Sequence, residues 1–283
     1  MPSPIRLKAH AKINWALNVT GILPDGYHSL DMVVQRISLC DDISLEPADG
    51  LLLTIENDDQ VPMDESNLVI KAANALRAYT GATQGARIHL IKNIPSQAGL
   101  GGGSADAAAV LQGLNTLWQT GLPLEALSGL GLKLGADVPL CLRPGLMRAS
   151  GKGEQITTYD CDAQHHLVLV QPDSGLSTVK IFQAYDRQTD SKAADVQKAL
   201  AAVQHANLEE IAKHCHNQLE ATATAFLPDI AKAKNDLYAF GAGYAQMSGS
   251  GSAVFGVFKS KEQAMAAQAA LARRWPVCVY TTT

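Results

Sequence analysis

Four glycines fall within five positions at Gly99-Leu100-Gly101-Gly102-Gly103, and an alanine-rich run from Ala105 to about Trp118 follows them. That run has helical composition and spacing, so the glycines stand at a helix start. The first N–H groups of a helix have no partners within it, and the helix dipole places partial positive charge there. Such a terminus is a seat for an anion. Glycine lets the backbone approach a ligand closely and take positive φ, and Ser104 is placed to cap the helix or to offer its hydroxyl to a phosphate or Mg²⁺. The plain alternative is a glycine turn with a serine cap and no ligand, but so many glycines exceed what a turn requires. A Walker A loop needs a lysine after its glycines, and none follows here. A dinucleotide fingerprint needs a βαβ unit and an acidic residue about 20 residues further on. Glu125 has that spacing but lies in a helical pattern, and the segments before the loop do not alternate as βαβ. A nicotinamide-dependent oxidoreductase is therefore the weaker reading.

Around this loop the chain alternates strand and helix signals. Leu7–Leu23 and Leu30–Glu46 are rich in β-branched and aliphatic residues, flank Pro24-Asp25-Gly26, and predict two strands around a tight turn. Leu51–Glu56 predicts a strand, Ser66–Tyr79 a helix with Ser66 as N-cap, and Ala86–Ile91 another strand. Beyond the loop the pattern predicts a helix over Pro123–Leu134, a break at Gly135-Ala136-Asp137-Val138-Pro139, and one strand over Leu146–Thr158. The polar stretch Asp160–Gln164 is the best candidate for a domain boundary. After it come a strand at Leu167–Gln171, helices between Thr178 and Tyr238, strands at Gly243–Ser248 and Ala253–Phe258, a helix at Lys261–Arg274 and a strand at Val277–Tyr280. That order approximates βαββαβ with extra helices in the first crossover.

Three separated segments resemble the GHMP kinase superfamily, whose members include homoserine, mevalonate and galactose kinases. They are Ala11-Lys12-Ile13-Asn14, the run Pro95 to Ala105 with its P-x-x-x-G-L-G form, and Met247-Ser248-Gly249-Ser250-Gly251-Ser252. Gly26-Tyr27-His28-Ser29-Leu30, Ser104 with Asp106-Ala107-Ala108, and Leu134-Gly135-Ala136-Asp137-Val138-Pro139 narrow the resemblance to the branch whose substrate carries a cytidine diphosphate. The resemblance implies an α+β fold of two domains. These are an N-terminal ribosomal-protein-S5-like α/β domain over residues 1–160 and a C-terminal ferredoxin-like βαββαβ domain over residues 161–283. It also implies transfer of the ATP γ-phosphoryl group to an alcohol, with Mg²⁺ carried by ATP near Ser104 rather than by a protein cluster.

Site roles carry over position by position. Asp137 is the implied catalytic base, and Lys12 the implied neighbour that keeps it ionised and meets the developing charge. ATP is implied to contact Lys92, Pro95, Ser96, Gln97, Ala98, Gly99, Leu100, Gly101, Gly102, Gly103, Ser104 and Ala105; the acceptor is implied to contact Asn14, Tyr27, His28, Asp137, Phe182, Gly249 and Ser250. Gln97 and Ala98 stand where members of the family often carry glycines. Each role has a bland counterpart: Asp137 as a turn carboxylate, Lys12 as a solvated strand lysine, Lys92 as an exposed strand end, Phe182 as a helix core residue. A kinase for another small alcohol, such as homoserine or mevalonate, is the rival within the family, and Gly26-Tyr27-His28 speaks against it.

Composition removes several other classes. The chain has 283 residues, 47% of them hydrophobic, enough for a substantial core in one large or two medium domains. A net charge of −4 with interspersed signs does not suit a nucleic-acid backbone binder. Five scattered cysteines without CxxC spacing read as reduced thiols, and the N-terminal residues lack a targeting pattern, so a cytoplasmic protein with no membrane span is expected. His214-Cys215-His216 is read as non-metal because residues at i and i+2 of a helix point apart, and His165-His166 as a surface or boundary pair. Oligomeric state is left open.

Overall fold

The computed structural model describes residues 4–186 and 192–283. They form two compact units. One takes in the residues up to Ala11, Leu39–Ile94 and Gly101–Arg143; the other takes in Lys12–Ser38, Pro95–Leu100 and Pro144–Thr283. Strands β1 (Ile5–Ile22) and β2 (His28–Ala48) pair with each other and are long enough to contribute to both. The turn between them closes with the Gly26 N–H on the Leu23 carbonyl, and Gly26 takes the positive φ (83°) that its position requires.

In the first unit, β3 (Leu51–Glu56), α1 (Leu68–Thr80) and β4 (Gly85–Ile91) follow. Strand β4 runs antiparallel to β2 from Asp42↔Ile91 to Ala48↔Gly85 and parallel to β3 from Leu51↔Ala86 to Glu56↔Ile91. The crossover β3–α1–β4 is thus a βαβ unit, contrary to the expectation that the segments before the loop do not alternate in that way. The N-cap of α1 is Asn67 rather than Ser66: its side chain accepts the Val69 N–H at 2.8 Å, while Ser66 bonds to Asp64. Helix α2 (Gly102–Leu117) starts three residues before the alanine run and is buried continuously from Ala105 to Leu111. An all-round apolar helix belongs in a core, and Gly113 admits the close packing, since a Cβ there would overlap the Leu45 and Leu7 side chains. Helices α3 (Leu124–Leu134) and α4 (Val138–Cys141) complete the unit, with Gly131 lying against Val138.

In the second unit the expected single strand over Leu146–Thr158 is a hairpin of β5 (Leu146–Gly151) and β6 (Gln155–Tyr159). Gly151 and Gly153 both take positive φ, which turns the chain. Strand β5 pairs antiparallel with β2 from Leu30↔Gly151 to Gln35↔Leu146. Then come β7 (His166–Gln171), α5 (Thr178–Tyr185), α6 (Val196–Gln204), α7 (Leu208–His214), α8 (Glu220–Phe226), α9 (Asp229–Ala239), β8 (Tyr244–Met247), β9 (Val254–Phe258), α10 (Lys261–Leu271) and β10 (Val277–Thr282). Their sheet has the order β10-β7-β9-β8 with every pairing antiparallel, the ferredoxin-like arrangement that the βαββαβ order predicts. Trp15 anchors this core, fully buried against Phe255 and His165, with its indole N–H on Gln35 Oε1 at 2.7 Å. His165 is therefore a buried core histidine rather than a surface one: its Nε2 bonds to the Val203 carbonyl, and burial lowers its pKa. No helix among the described residues is long and apolar enough to cross a membrane.

Candidate active site

The glycine-rich segment is held by its own carbonyls. Ser96 O accepts Gln171 Nε2 at 3.0 Å, Gln97 O accepts the Ser252 N–H, Ala98 O accepts the Ala253 N–H, and Leu100 O accepts the Lys12 N–H. Gly99 O accepts both Lys12 Nζ and Ser248 Oγ, each at 3.0 Å. Gly99 must be glycine: its φ is +74°, and a Cβ would overlap the Ser248 carbonyl oxygen. The late glycine loop, between β8 and β9, is thus laced to residues 96–100. Asn217 braces it from below, its Nδ2 donating to Met247 O and Gly249 O, and Ser250 Oγ bonds to Thr178 Oγ1 at 2.7 Å.

Lys12 lies inside this layer at 5% exposure. Its Nζ donates to Asn14 Oδ1 at 2.8 Å, the two side chains sharing a face of β1 as period-two spacing requires. A Cβ at Gly249 would come within 3.3 Å of that ammonium. Lys12, Asn14, Gly99, Gly249 and Ser250 are therefore brought together in the second unit, and Lys12 is not a solvated strand lysine.

The helical half of the loop belongs to the first unit. Gly101 is the N-cap of α2 in the left-handed conformation, and the helix ladder begins with the Ala105 N–H on Gly101 O. The N–H groups of Gly102, Gly103 and Ser104 stand ahead of that ladder, the arrangement that receives phosphate oxygens. Ser104 does not cap the helix, being its third residue. Its hydroxyl lies 3.9 Å from where a Gly135 Cβ would stand, next to the turn that carries Asp137 at the head of α4. The side chain of Asp137 makes no cap hydrogen bond to that helix. Among the described residues no three His, Cys, Asp or Glu side chains form a metal cluster. The hydroxyl and carboxylate oxygens here are hard donors suited to an Mg²⁺ that arrives with phosphates.

Lys92 is not an exposed strand end. Its ammonium is buried and donates to Asp41 and to Asp106 Oδ2, the latter at 2.6 Å. Burial pulls its pKa down, but the two carboxylates more than reverse this and leave it above the usual lysine value. Burial pushes Asp106 the other way, up to about 7, with Lys92 opposing and the Asp41 charge adding to the rise.

Family models match along both parts of the chain: "GHMP kinases N terminal domain" over residues 67–145 and "GHMP kinases C terminal" over residues 197–277. The chain is 38% identical over 271 residues to the 4-diphosphocytidyl-2-C-methyl-D-erythritol kinase of Chloroherpeton thalassium, covering 95% of each. It is 42% identical over 258 residues to that of Pelotomaculum thermopropionicum, covering 90% of each. The chain belongs to the 4-diphosphocytidyl-2-C-methyl-D-erythritol kinase family of GHMP kinases. A crystal structure of a 4-(cytidine 5'-diphospho)-2C-methyl-D-erythritol kinase superposes with a TM-score of 0.84 at 31% identity, covering 98% of both chains. Homoserine kinase from Cytophaga hutchinsonii (TM-score 0.76, 19% identity, 100% and 94% covered) shares the fold alone. The dinucleotide-binding reading falls with this result, and its physical reason is visible in β4, which is followed by helices and then by β5, antiparallel to β2.

For a member of this family the aromatic residues form a second cluster, all within the second unit. His28 and Phe182 pack ring to ring with centroids 4.6 Å apart and planes at 31°. His28 Nε2 shares a 2.7 Å hydrogen bond with Asp186 Oδ1, one helical turn beyond Phe182 on α5. Phe182 is half-buried, whereas its neighbour Ile181 is the core residue of that helix. Tyr27 is 61% exposed, and Lys152 holds its ammonium 4.6 Å from the ring centroid while pairing with Asp25. Asp41, Asp186 and Lys152 were not foreseen, and Asp106 was seen only as part of a motif. The helical spacing expected for His214-Cys215-His216 does not hold, because α7 ends at His214 and Cys215 is its extended C-cap; His214 faces Glu210, His216 bonds to Lys213 O, and burial pushes the Cys215 thiol up to about 12.

Proposed function

We propose that this protein transfers the γ-phosphoryl group of ATP to the 2-hydroxyl of 4-diphosphocytidyl-2-C-methyl-D-erythritol, giving the 2-phosphate and ADP. The observation that carries the reading is 38–42% identity to kinases of that name along nine-tenths or more of the chain. The residues support it chemically. The N–H groups at the start of α2 bind the nucleotide phosphates. Asp137 accepts the hydroxyl proton, and Lys12 stabilises negative charge on the transferred group. Asn14, Gly249 and Ser250 orient the acceptor, and Tyr27, His28 and Phe182 receive its cytosine ring, which presents a flat face and a polar edge. Ser104 and Asp137 would be at hand to hold an Mg²⁺ arriving with the ATP phosphates, which would supply neutralisation of phosphate charge. We divide the chain into domains at residues 160 and 161, a division that the two family models flank, and place the enzyme in the cytoplasm, a placement that its free cysteines suit.

The test is ADP release with Mg-ATP from the cytidine compound, homoserine, mevalonate and galactose in parallel, with Asp137→Asn alongside. General-base catalysis contributes about 10²- to 10⁴-fold, so turnover of the cytidine compound alone, lowered by that factor in the variant, is expected. Turnover of a different alcohol would move the specificity, and an unaltered Asp137→Asn rate would remove the base.

A further inference from the structure

We infer that Lys92, Asp41 and Asp106 form a buried positioning device that sets the first turns of α2 for the nucleotide phosphates, Lys92 acting through the loop rather than by touching ATP. The inference rests on the reading that this helix terminus receives ATP.

The geometry ties three elements to one ammonium. Asp41 comes from β2, Lys92 follows β4 directly, and Asp106 is the fifth residue of α2. Their side chains are 0–5% exposed. Asp41 is committed at both oxygens, with Oδ2 on Lys92 and Oδ1 accepting the N–H groups of Asn93 and Ile94, the latter at 2.7 Å. A Cβ at Gly102 would stand 3.5 Å from Lys92 Nζ and 3.1 Å from Ile94 Cγ2, so the ammonium lies directly beneath the first helical residue. Two of its three N–H donors go to carboxylates and its side chain is 5% exposed under Gly102, so its influence on a phosphate is taken to pass through the backbone above it.

Energetics point the same way. A buried ion cluster is seldom more stable than apolar residues of similar volume, whereas losing one partner from it is strongly destabilising. This cluster carries two acids on one base, and Asp106 Oδ1 is buried without a hydrogen-bond partner. Such an arrangement is a poor way to stabilise a core. It is a good way to fix register, because the ammonium can satisfy both carboxylates only if α2 sits at one height over the strand ends.

The experiment compares wild type, Asp106→Asn, and a charge-free triple variant, Lys92→Met/Asp41→Asn/Asp106→Leu, by melting temperature, by ATP Kd from calorimetry, and by KM for ATP and for the cytidine acceptor. The triple variant is expected to melt within a few degrees of wild type yet to raise ATP Kd and KM at least tenfold, with the acceptor KM within twofold. Asp106→Asn, which keeps an acceptor for Lys92, is expected to stay within threefold of wild type for ATP. An ATP Kd in the triple variant equal to that of wild type would reduce the cluster to packing, and so would a rise in both KM values together. If the triple variant does not fold, Asp106→Asn decides alone against Asp106→Leu: equal ATP Kd values for the two overturn the inference. Wild type that binds ATP but phosphorylates no acceptor would refute the proposed reaction while leaving the Kd comparison intact, and wild type that binds no ATP would overturn the positioning role itself.

Discussion

The segment from Ser96 to Leu100 and the aromatic cluster around His28 lie in the same unit and are built in opposite ways. In the first, all five carbonyls accept hydrogen bonds, four from backbone or side-chain groups of β1, β7 and the late glycine loop and one, at Gly99, from two side chains at once. In the second, one ring contact, one His–Asp bond and one ammonium over a tyrosine hold side chains that remain partly open to solvent. A backbone held at every carbonyl cannot shift without breaking several bonds together. Half-exposed side chains with one or two partners change rotamer at small cost. The laced segment is therefore preorganised in the main chain, and the end proposed for the cytosine ring is assembled from side chains that can adjust to it.

The strongest way to break this contrast is Gly99→Ala. The methyl group meets the Ser248 carbonyl oxygen, and the left-handed conformation adds about 1–2 kcal/mol for a non-glycine residue. With overpacking of a further 1–3 kcal/mol, a stability loss of about 2–5 kcal/mol is expected in denaturant unfolding, together with a loss of activity toward every acceptor. A stable, active Gly99→Ala protein would mean that the lacing is slack.

The helical half of the loop offers a pH test. Asp106 stands at about 7 in the folded protein, against the ordinary carboxylate value when unfolded, because of burial; Lys92 from the β4 end and Asp41 from β2 are the charged groups bonded within its cluster. Between pH about 4 and about 7 the folded state holds a proton that the unfolded state has released, so stability falls as pH rises through that window and levels off above it. In Asp106→Asn this slope should be missing from unfolding curves taken across the same range. An identical slope in both proteins would assign the pH dependence to other groups.

A smaller effect is expected at the aromatic cluster. Phe182→Ala should raise the acceptor KM about tenfold, since stacking on a base is worth about 1–3 kcal/mol, and leave the ATP KM unchanged. Ile181→Ala, its buried neighbour, should instead cost about 2–4 kcal/mol of stability. If Phe182→Ala lowers stability as much as Ile181→Ala does, Phe182 is a core residue and the contrast between the two regions fails.

What could be read from the chain follows the same division. The loop was legible because glycine conformational freedom and alanine helix propensity are local properties, and the C-terminal sheet because its strands alternate with helices in a recognisable order. The β5–β6 hairpin was missed although Ser150-Gly151-Lys152-Gly153 carries its turn signal. Asp41 left a trace as well. In the period-two row Ile37, Leu39, Asp41, Ile43, Leu45 it is the single acid among apolar residues, which marks a carboxylate pointing inward with a partner to find. Its partners stand 51 and 65 residues away, and nothing local says which lysine or acid they are. Asp186 and Lys152 likewise act through contacts made only by folding.

The smallest effect tests Gln97, the residue of the laced segment that holds a left-handed backbone conformation without being glycine. Gln97 takes φ +53°, in the left-handed region, while its carbonyl accepts the Ser252 N–H. This backbone thus keeps a conformation that glycine adopts freely, with a side chain attached. Gln97→Gly would relieve about 1–2 kcal/mol of local strain but would return about 0.5–1 kcal/mol through the greater freedom of the unfolded chain. A net gain of about 1 kcal/mol or less is expected, seen as a rise of about 2–4 °C or less in melting temperature, with kcat/KM for ATP within twofold. The side chain is the competing consideration, because its Cβ would meet any Cβ placed at Gly175 and it therefore packs against the loop after β7. If Gln97→Gly melts lower than wild type, that side-chain packing outweighs the strain, and the laced segment depends partly on a side chain after all.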